Sequence, residues 1–302
     1  MQKILVIGAS GFVGGRLAQA LLAEGYAVRC VARDPAKVEA LAAAGAEIVQ
    51  GDIGDLASLQ RAVDGVEAVY ISIHTIARQA HGAPGAGFMD IEIAGLENLL
   101  TACRAHGVRR LIYVTFLGAD PNSPSLWVRE RWRAEQLLLA SGLDATIIRP
   151  GQIVGRGGQG FNMMVRQSRQ RIAIVMSGGR SRMRNIAVGD LLYYLMGVLE
   201  EPRAYGQAID VGNDEVLTNN QMTDIIAEAQ GCRPPLKMGA PLGLIKLFAG
   251  LIEGRAGMQK GALKGALSGL GLDAIGDPLP IRAILPRPLL TYREAVKRAL
   301  AE

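Results

Sequence analysis

Short unbroken apolar runs alternate with helically spaced ones through the first half of the chain. KILVI (3–7) is continuous and ends at glycine, the pattern of a strand buried on both faces. YAVRCVA (26–32), EIVQ (47–50), AVYISI (68–73), LIYVTF (111–116) and ATIIRP (145–150) continue the strands. Between them the spacing predicts helices from Gly11 to Glu24 and over 35–45, 55–64, 90–106 and 127–141. Strand–helix alternation means right-handed crossovers, so the fold class is α/β: a Rossmann-type, doubly wound parallel sheet.

After Pro150 the pattern loosens. GRGGQG (155–160) and SGGRSR (177–182) read as loops. LTNNQ (217–221) and TYRE (291–294) read as capping boxes that open helices. This divides the chain into a dinucleotide-binding domain over 1–155 and a smaller substrate lobe over 156–302, packed as one unit. PLGLIKLFAGLIEG (241–254) puts Leu244, Ile245, Phe248, Leu251 and Ile252 on one helical face. That helix suits a core or dimer contact, a pocket lid or a membrane-surface element, and a homodimer stays open.

The turn GASGFVGG (8–15) sits between the first strand and the first helix. Gly8 allows the tight bend, Gly11 lets a diphosphate approach backbone, and Gly14 lets helix and strand pack closely. The amides around Ser10, Phe12 and Val13 would hold the diphosphate at the helix N-terminus. Arg33 stands past the second strand, where NAD-binding proteins carry an acidic residue, and Lys37 follows one turn later. Two cations there fit the 2′-phosphate of NADP(H), against the alternative of a solvated surface arginine. Asp52 and Ile53 would border the adenine, and Ser72, Ile73 and His74 the ribose and nicotinamide path.

Composition narrows the partners. At 302 residues and 49% hydrophobic, the chain can bury a real core. The net charge of +5 comes without a run of five like charges or an aromatic-rich basic strand, which argues against nucleic acid. Cys30, Cys103 and Cys232 stand apart, and His74, His81 and His106 share no ligand spacing, so no metal is expected and a reducing, cytoplasmic compartment is. Neither a signal peptide nor the ~20 apolar residues of a membrane span is expected, which makes this a soluble protein.

GASGFVGG, the VARDP turn, VQGDIGD, RRLIYVTFLGA, RAEQLLLASGLDATIIRPG and RNIAVGDL together resemble the short-chain dehydrogenase/reductase superfamily in its extended and atypical branches. The chain is similar to the NmrA-like and complex I 39-kDa-subunit-like NAD(P)H-binding proteins. That resemblance implies a Tyr-x-x-x-Lys pair on the helix after the fifth strand, helped by a Ser or Thr at that strand's end. Here the pair reads Trp127 and Arg131, while Thr115 keeps the hydroxyl position. Indole cannot act as a phenol acid, so Trp127 becomes a pocket wall and Arg131 a clamp on the nicotinamide ribose. Pro150 and Ile153 border the nicotinamide, and Phe116, Trp127, Phe161 and Asn162 line the substrate pocket. No catalytic acid is assigned. The expected activity is hydride transfer from NADPH to an apolar carbonyl or enone, with a non-catalytic NADP(H)-binding sensor or assembly protein as the alternative.

Overall fold

The computed structural model describes residues 2–73, 90–175, 179–239 and 271–302. His74, His81 and the 241–254 helix lie outside the described residues. Twelve strands are described: β1 (Lys3–Ile7), β2 (Ala27–Ala32), β3 (Glu47–Gln50), β4 (Ala68–Ile71), β5 (Arg110–Val114), β6 (Asp144–Pro150), β7 (Gln152–Val154), β8 (Ile172–Val175), β9 (Arg182–Ala187), β10 (Gln207–Val211), β11 (Val216–Thr218) and β12 (Leu236–Gly239). The helices are α1 (Phe12–Ala23), α2 (Glu39–Ala43), α3 (Leu56–Val63), α4 (Asp90–Ala105), α5 (Leu126–Leu139), α6 (Gln159–Ser168), α7 (Val188–Gly197), α8 (Asn219–Ala229), α9 (Leu279–Ile284) and α10 (Tyr292–Ala301).

Seven strands form one parallel sheet in the order β10-β6-β5-β4-β1-β2-β3. Alternate residues of β1 feed opposite faces. Ile4 and Val6 join a core with α1 and α7, while Leu5 and Ile7 join another with α3, α4 and α5. Burial on both sides explains why this strand reads as a continuous apolar run. β7, β9 and β11 form a second sheet, and β8 pairs with β12 in a two-stranded ribbon.

Two expectations change. The helix expected over 35–45 splits, because Asp34 accepts from Ala36 N–H at 3.2 Å and Pro35 begins a 3₁₀ turn, Pro35–Val38, ahead of the short α2. More consequentially, β10 comes from the second half of the chain, yet it extends the main sheet beside β6 over five register pairs. A division at residue 155 therefore cuts through the sheet. Both expected capping boxes form, Thr218 with Gln221 and Thr291 with Glu294. Among the described residues, no helix is long and apolar enough to cross a membrane.

Candidate dinucleotide and substrate site

β1 delivers the chain to the C-terminal edge of the sheet, where strand order reverses between β1 and β4. Gly8 turns there with φ +92°, and a Cβ on it would lie 2.1 Å from Ser72 O. Gly14 is similarly confined, since its Cβ would lie 2.3 Å from Gly8 O. Gly11 differs: its Cβ would meet only Gly8 O, at 3.1 Å, and its φ of −88° suits any residue. The chain's own packing confines Gly11 less than Gly8 or Gly14, though a Cβ would still press on the backbone of Gly8. Beyond it α1 begins with no side-chain cap and no acidic residue in its first turn. Its leading amides and positive dipole end form the donor set that a diphosphate requires. These residues fit a dinucleotide, with Ser10 exposed and Phe12 and Val13 half-buried on the turn.

Arg33 and Lys37 are exposed at the C-terminal end of β2 and have no carboxylate partner among the described residues. Asp34, by contrast, is committed to its own turn. Asp52 accepts from Gly54 N–H at 2.7 Å, and Ile53 is buried against Gly95. Ser72 donates its N–H to Ile7 O at 2.9 Å, which places Ser72 and Ile73 beside the glycine turn. Pro150 is buried and accepts from Leu117 N–H at 2.9 Å, while Ile153 packs half-buried on the α1 side of the sheet.

On α5, residues 127, 131 and 135 recur every fourth position and so share one face, which meets the end of β5. Trp127 stacks on Phe116 with ring centroids 4.4 Å apart and planes inclined by 14°. Glu135, wholly buried, accepts from the Thr115 hydroxyl at 2.6 Å and from Arg149 Nε at 2.9 Å. Thr115 thereby has its one proton directed at Glu135, and toward a ligand it can only accept.

Arg131 departs from its expected role. It is 2% exposed, forms an ion pair with the fully buried Glu92 and donates to Tyr113 Oη at 2.7 Å. The guanidinium points under the sheet edge into the α4 side, so it is no clamp on a ribose. Burial raises the Tyr113 hydroxyl well above the ordinary tyrosine range, so that phenol stays protonated within the cluster.

Trp127 and Phe116 form one wall of a cavity of about 490 Å³. Opposite them stand Gly160, Met163, Met164 and Gln167 of α6, with Ile174, Met183, Thr223 and the 271–274 segment closing the rest. Phe161 and Asn162, expected in this pocket, are not among its lining residues. The positions 160, 163, 164 and 167 define the helical face that lines it, and Phe161 points instead into a core with Met222, Ile226 and Tyr292. The 271–274 segment could not be foreseen because it reaches the cavity by an isolated bridge between Met183 and Ala274. The Trp127 indole Nε1 is buried and has no hydrogen-bond partner among the described residues.

Comparison with known proteins bears on the family and the cofactor class. A family model described as NAD(P)H-binding matches residues 8–176, from the glycine turn through β8. Photosystem II assembly factor Ycf39 of Cyanophora paradoxa is 32% identical over 147 residues, 49% of this chain and 44% of that protein. Quinone oxidoreductase 2 of Escherichia coli is 25% identical over 302 residues, covering 97% of both chains. The crystal structure of the NADPH-dependent quinone oxidoreductase of Escherichia coli superposes with a TM-score of 0.71 at 22% identity, over 98% of this chain and 99% of that one. The chain spans about half the length of the first curated relatives it matches, 44% and 51%.

Proposed function

The chain belongs to the NAD(P)H-binding family, among the atypical short-chain dehydrogenases/reductases, and on that premise we propose that it transfers hydride from NADPH to an apolar, conjugated carbonyl compound, an enone or quinone. The reading rests on the cavity of about 490 Å³ that the stacked rings of Trp127 and Phe116 wall at the end of β5. A flat apolar ring fits such a stacked aromatic wall.

The chemistry of the surrounding residues selects within carbonyl compounds. Bound NADPH supplies the hydride, and the glycine turn with Arg33 and Lys37 holds it. The product anion then needs a proton. Trp127 has no acidic hydrogen, Arg131 is sealed in its ion pair, and the Thr115 proton is directed at Glu135. A saturated ketone would leave a strongly basic alkoxide that none of these three residues can protonate. Enones and quinones leave delocalised enolate or phenolate anions, whose oxygen is far less basic than an alkoxide's and which water can protonate. These three residues thus favour acceptors whose reduced form needs no proton from them.

A second reading has its own support. The same three residues, none able to act as an acid, also suit a protein that binds NADP(H) as a sensing or assembly ligand. Following NADPH consumption against matched saturated ketones, enones and quinones separates the two. Enones and quinones are expected to turn over at least tenfold faster than saturated ketones, reflecting about 1.4 kcal/mol or more in barrier. Tight NADPH binding with no consumption by any acceptor would overturn the reductase reading and leave the binding one.

A further inference from the structure

The β8–β12 ribbon is apolar on the wrong side for a surface element. Its parallel register pairs Ile172 with Leu236 and Ile174 with Met238. Ala173 and Val175 alternate with these and are buried, as an inward face should be. Yet the four paired residues are 46–67% exposed, where an outward ribbon face ordinarily carries polar side chains. Met163 on α6 is 51% exposed beside them, and Met163 and Ile174 both line the cavity. The exposed apolar face is therefore continuous with the cavity mouth.

Charge adds a second, independent observation. From residue 145 to residue 189 the chain holds eight arginines and no aspartate, glutamate or lysine. Some are neutralised within the fold, Arg149 by Glu135 and Arg182 by Asp273. Arg166, one turn beyond Met163, and Arg171, immediately before β8, are exposed and have no carboxylate partner among the described residues. Arg171 also accepts at its carbonyl from Leu236 N–H at 2.9 Å, so it sits at the end of the apolar pairs. Apolar side chains flanked by unpaired arginines match the two attractions that hold a protein at an anionic bilayer surface: insertion among acyl chains and pairing with headgroup phosphates.

We propose that the exposed face of the β8–β12 ribbon, with Met163 and the flanking Arg166 and Arg171, docks the protein on an anionic lipid surface and opens the cavity mouth toward it. Apolar compounds dissolved in the bilayer would then enter without crossing water. This docking does not depend on the reductase reading, since it concerns where the cavity opens and not what occurs inside.

Flotation with vesicles tests it. The full chain should float with vesicles of phosphatidylcholine and phosphatidylglycerol, much less with phosphatidylcholine alone, and binding should weaken as salt rises. Arg166→Gln and Arg171→Gln should each weaken binding roughly fivefold. The pair Leu236→Asp/Met238→Asp should weaken it about tenfold or more while the melting temperature and NADPH affinity stay unchanged. Absence of flotation with either vesicle would overturn the proposal. A dimer in size-exclusion chromatography that the aspartate pair dissociates would assign the face to a second copy of the chain. A large drop in melting temperature with undiminished flotation would make the face an internal one, and equally ends the proposal.

Discussion

Replacing Arg131 with methionine removes the guanidinium that faces Glu92 and Tyr113 and keeps most of the side-chain volume. Glu92 is wholly buried and Arg131 2% exposed, so the substitution leaves a carboxylate inside the protein without this partner. Breaking such a pair from one side costs up to about 3–5 kcal/mol, because the remaining charge keeps its desolvation penalty and loses the guanidinium, although Tyr113 still donates its hydroxyl to it. The hydrogen bond to Tyr113 Oη, 2.7 Å long, is lost as well. Changing Glu92→Gln in the same chain removes the carboxylate charge and should restore part of that loss, the signature of a coupled pair. Urea denaturation of wild type, Arg131→Met, Glu92→Gln and the double variant gives the cycle, and calorimetric titration of NADPH gives affinity for each. A cluster buried beneath the site predicts a large stability loss with NADPH affinity within about threefold of wild type. A stability change under 1 kcal/mol accompanied by a tenfold or greater fall in affinity would refute the buried reading and return Arg131 to the role of ribose clamp.

Arg33→Ala should weaken NADPH binding by about 1.5–3 kcal/mol and leave NADH nearly unaffected, as titration of both cofactors would show; equal losses for the two would remove the 2′-phosphate assignment. Gly11→Val should abolish stabilisation by NADPH in a thermal melt while unfolding stays cooperative, because the one internal contact of a Cβ there, 3.1 Å from Gly8 O, is milder than those at Gly8 and Gly14. Cys30 and Cys103 are buried, and burial pushes both thiols up to about 12, whereas Cys232 is exposed. One thiol of three should react with Ellman's reagent in the native protein and all three after denaturation. The raised thiols also fix a sign. Their contribution is full below the unfolded thiol value of roughly 8.5 and declines at about 1.4 kcal/mol per pH unit for each as pH rises toward the folded value. Cys30→Ala should flatten the alkaline decline measured by urea denaturation, and an unchanged slope would count against that burial cost.

What the sequence disclosed followed the range of the interactions involved. The glycine turn and the two capping boxes were legible because each is decided by residues three to six positions apart. The strands buried on both faces were legible for a related reason, as every position from Ile4 to Ile7 needs an apolar residue. The direction of Arg131 was hidden: its partners lie 39 and 18 residues away in sequence, and nothing near Arg131 announces Glu92. Phe161 was misplaced by one helical step, because an apolar residue on α6 can serve either the cavity or the core and periodicity alone does not say which. The 271–274 wall and β10 were missed for one reason, that both join their neighbours across long stretches of chain.

The insertion of β10 beside β6 has a bearing on biosynthesis. A fragment ending near residue 155 would contain the whole glycine turn yet present the backbone edge of β6, an apolar strand built to be covered, as a free template for pairing with other chains. On the ribosome the same exposure lasts until residues 207–211 have left the exit tunnel, so the cofactor-binding half waits on more than fifty further residues before its sheet is closed. Cofactor capture and completion of the second half are thereby coupled in time, and a chain stalled between the two is the species most in need of a chaperone.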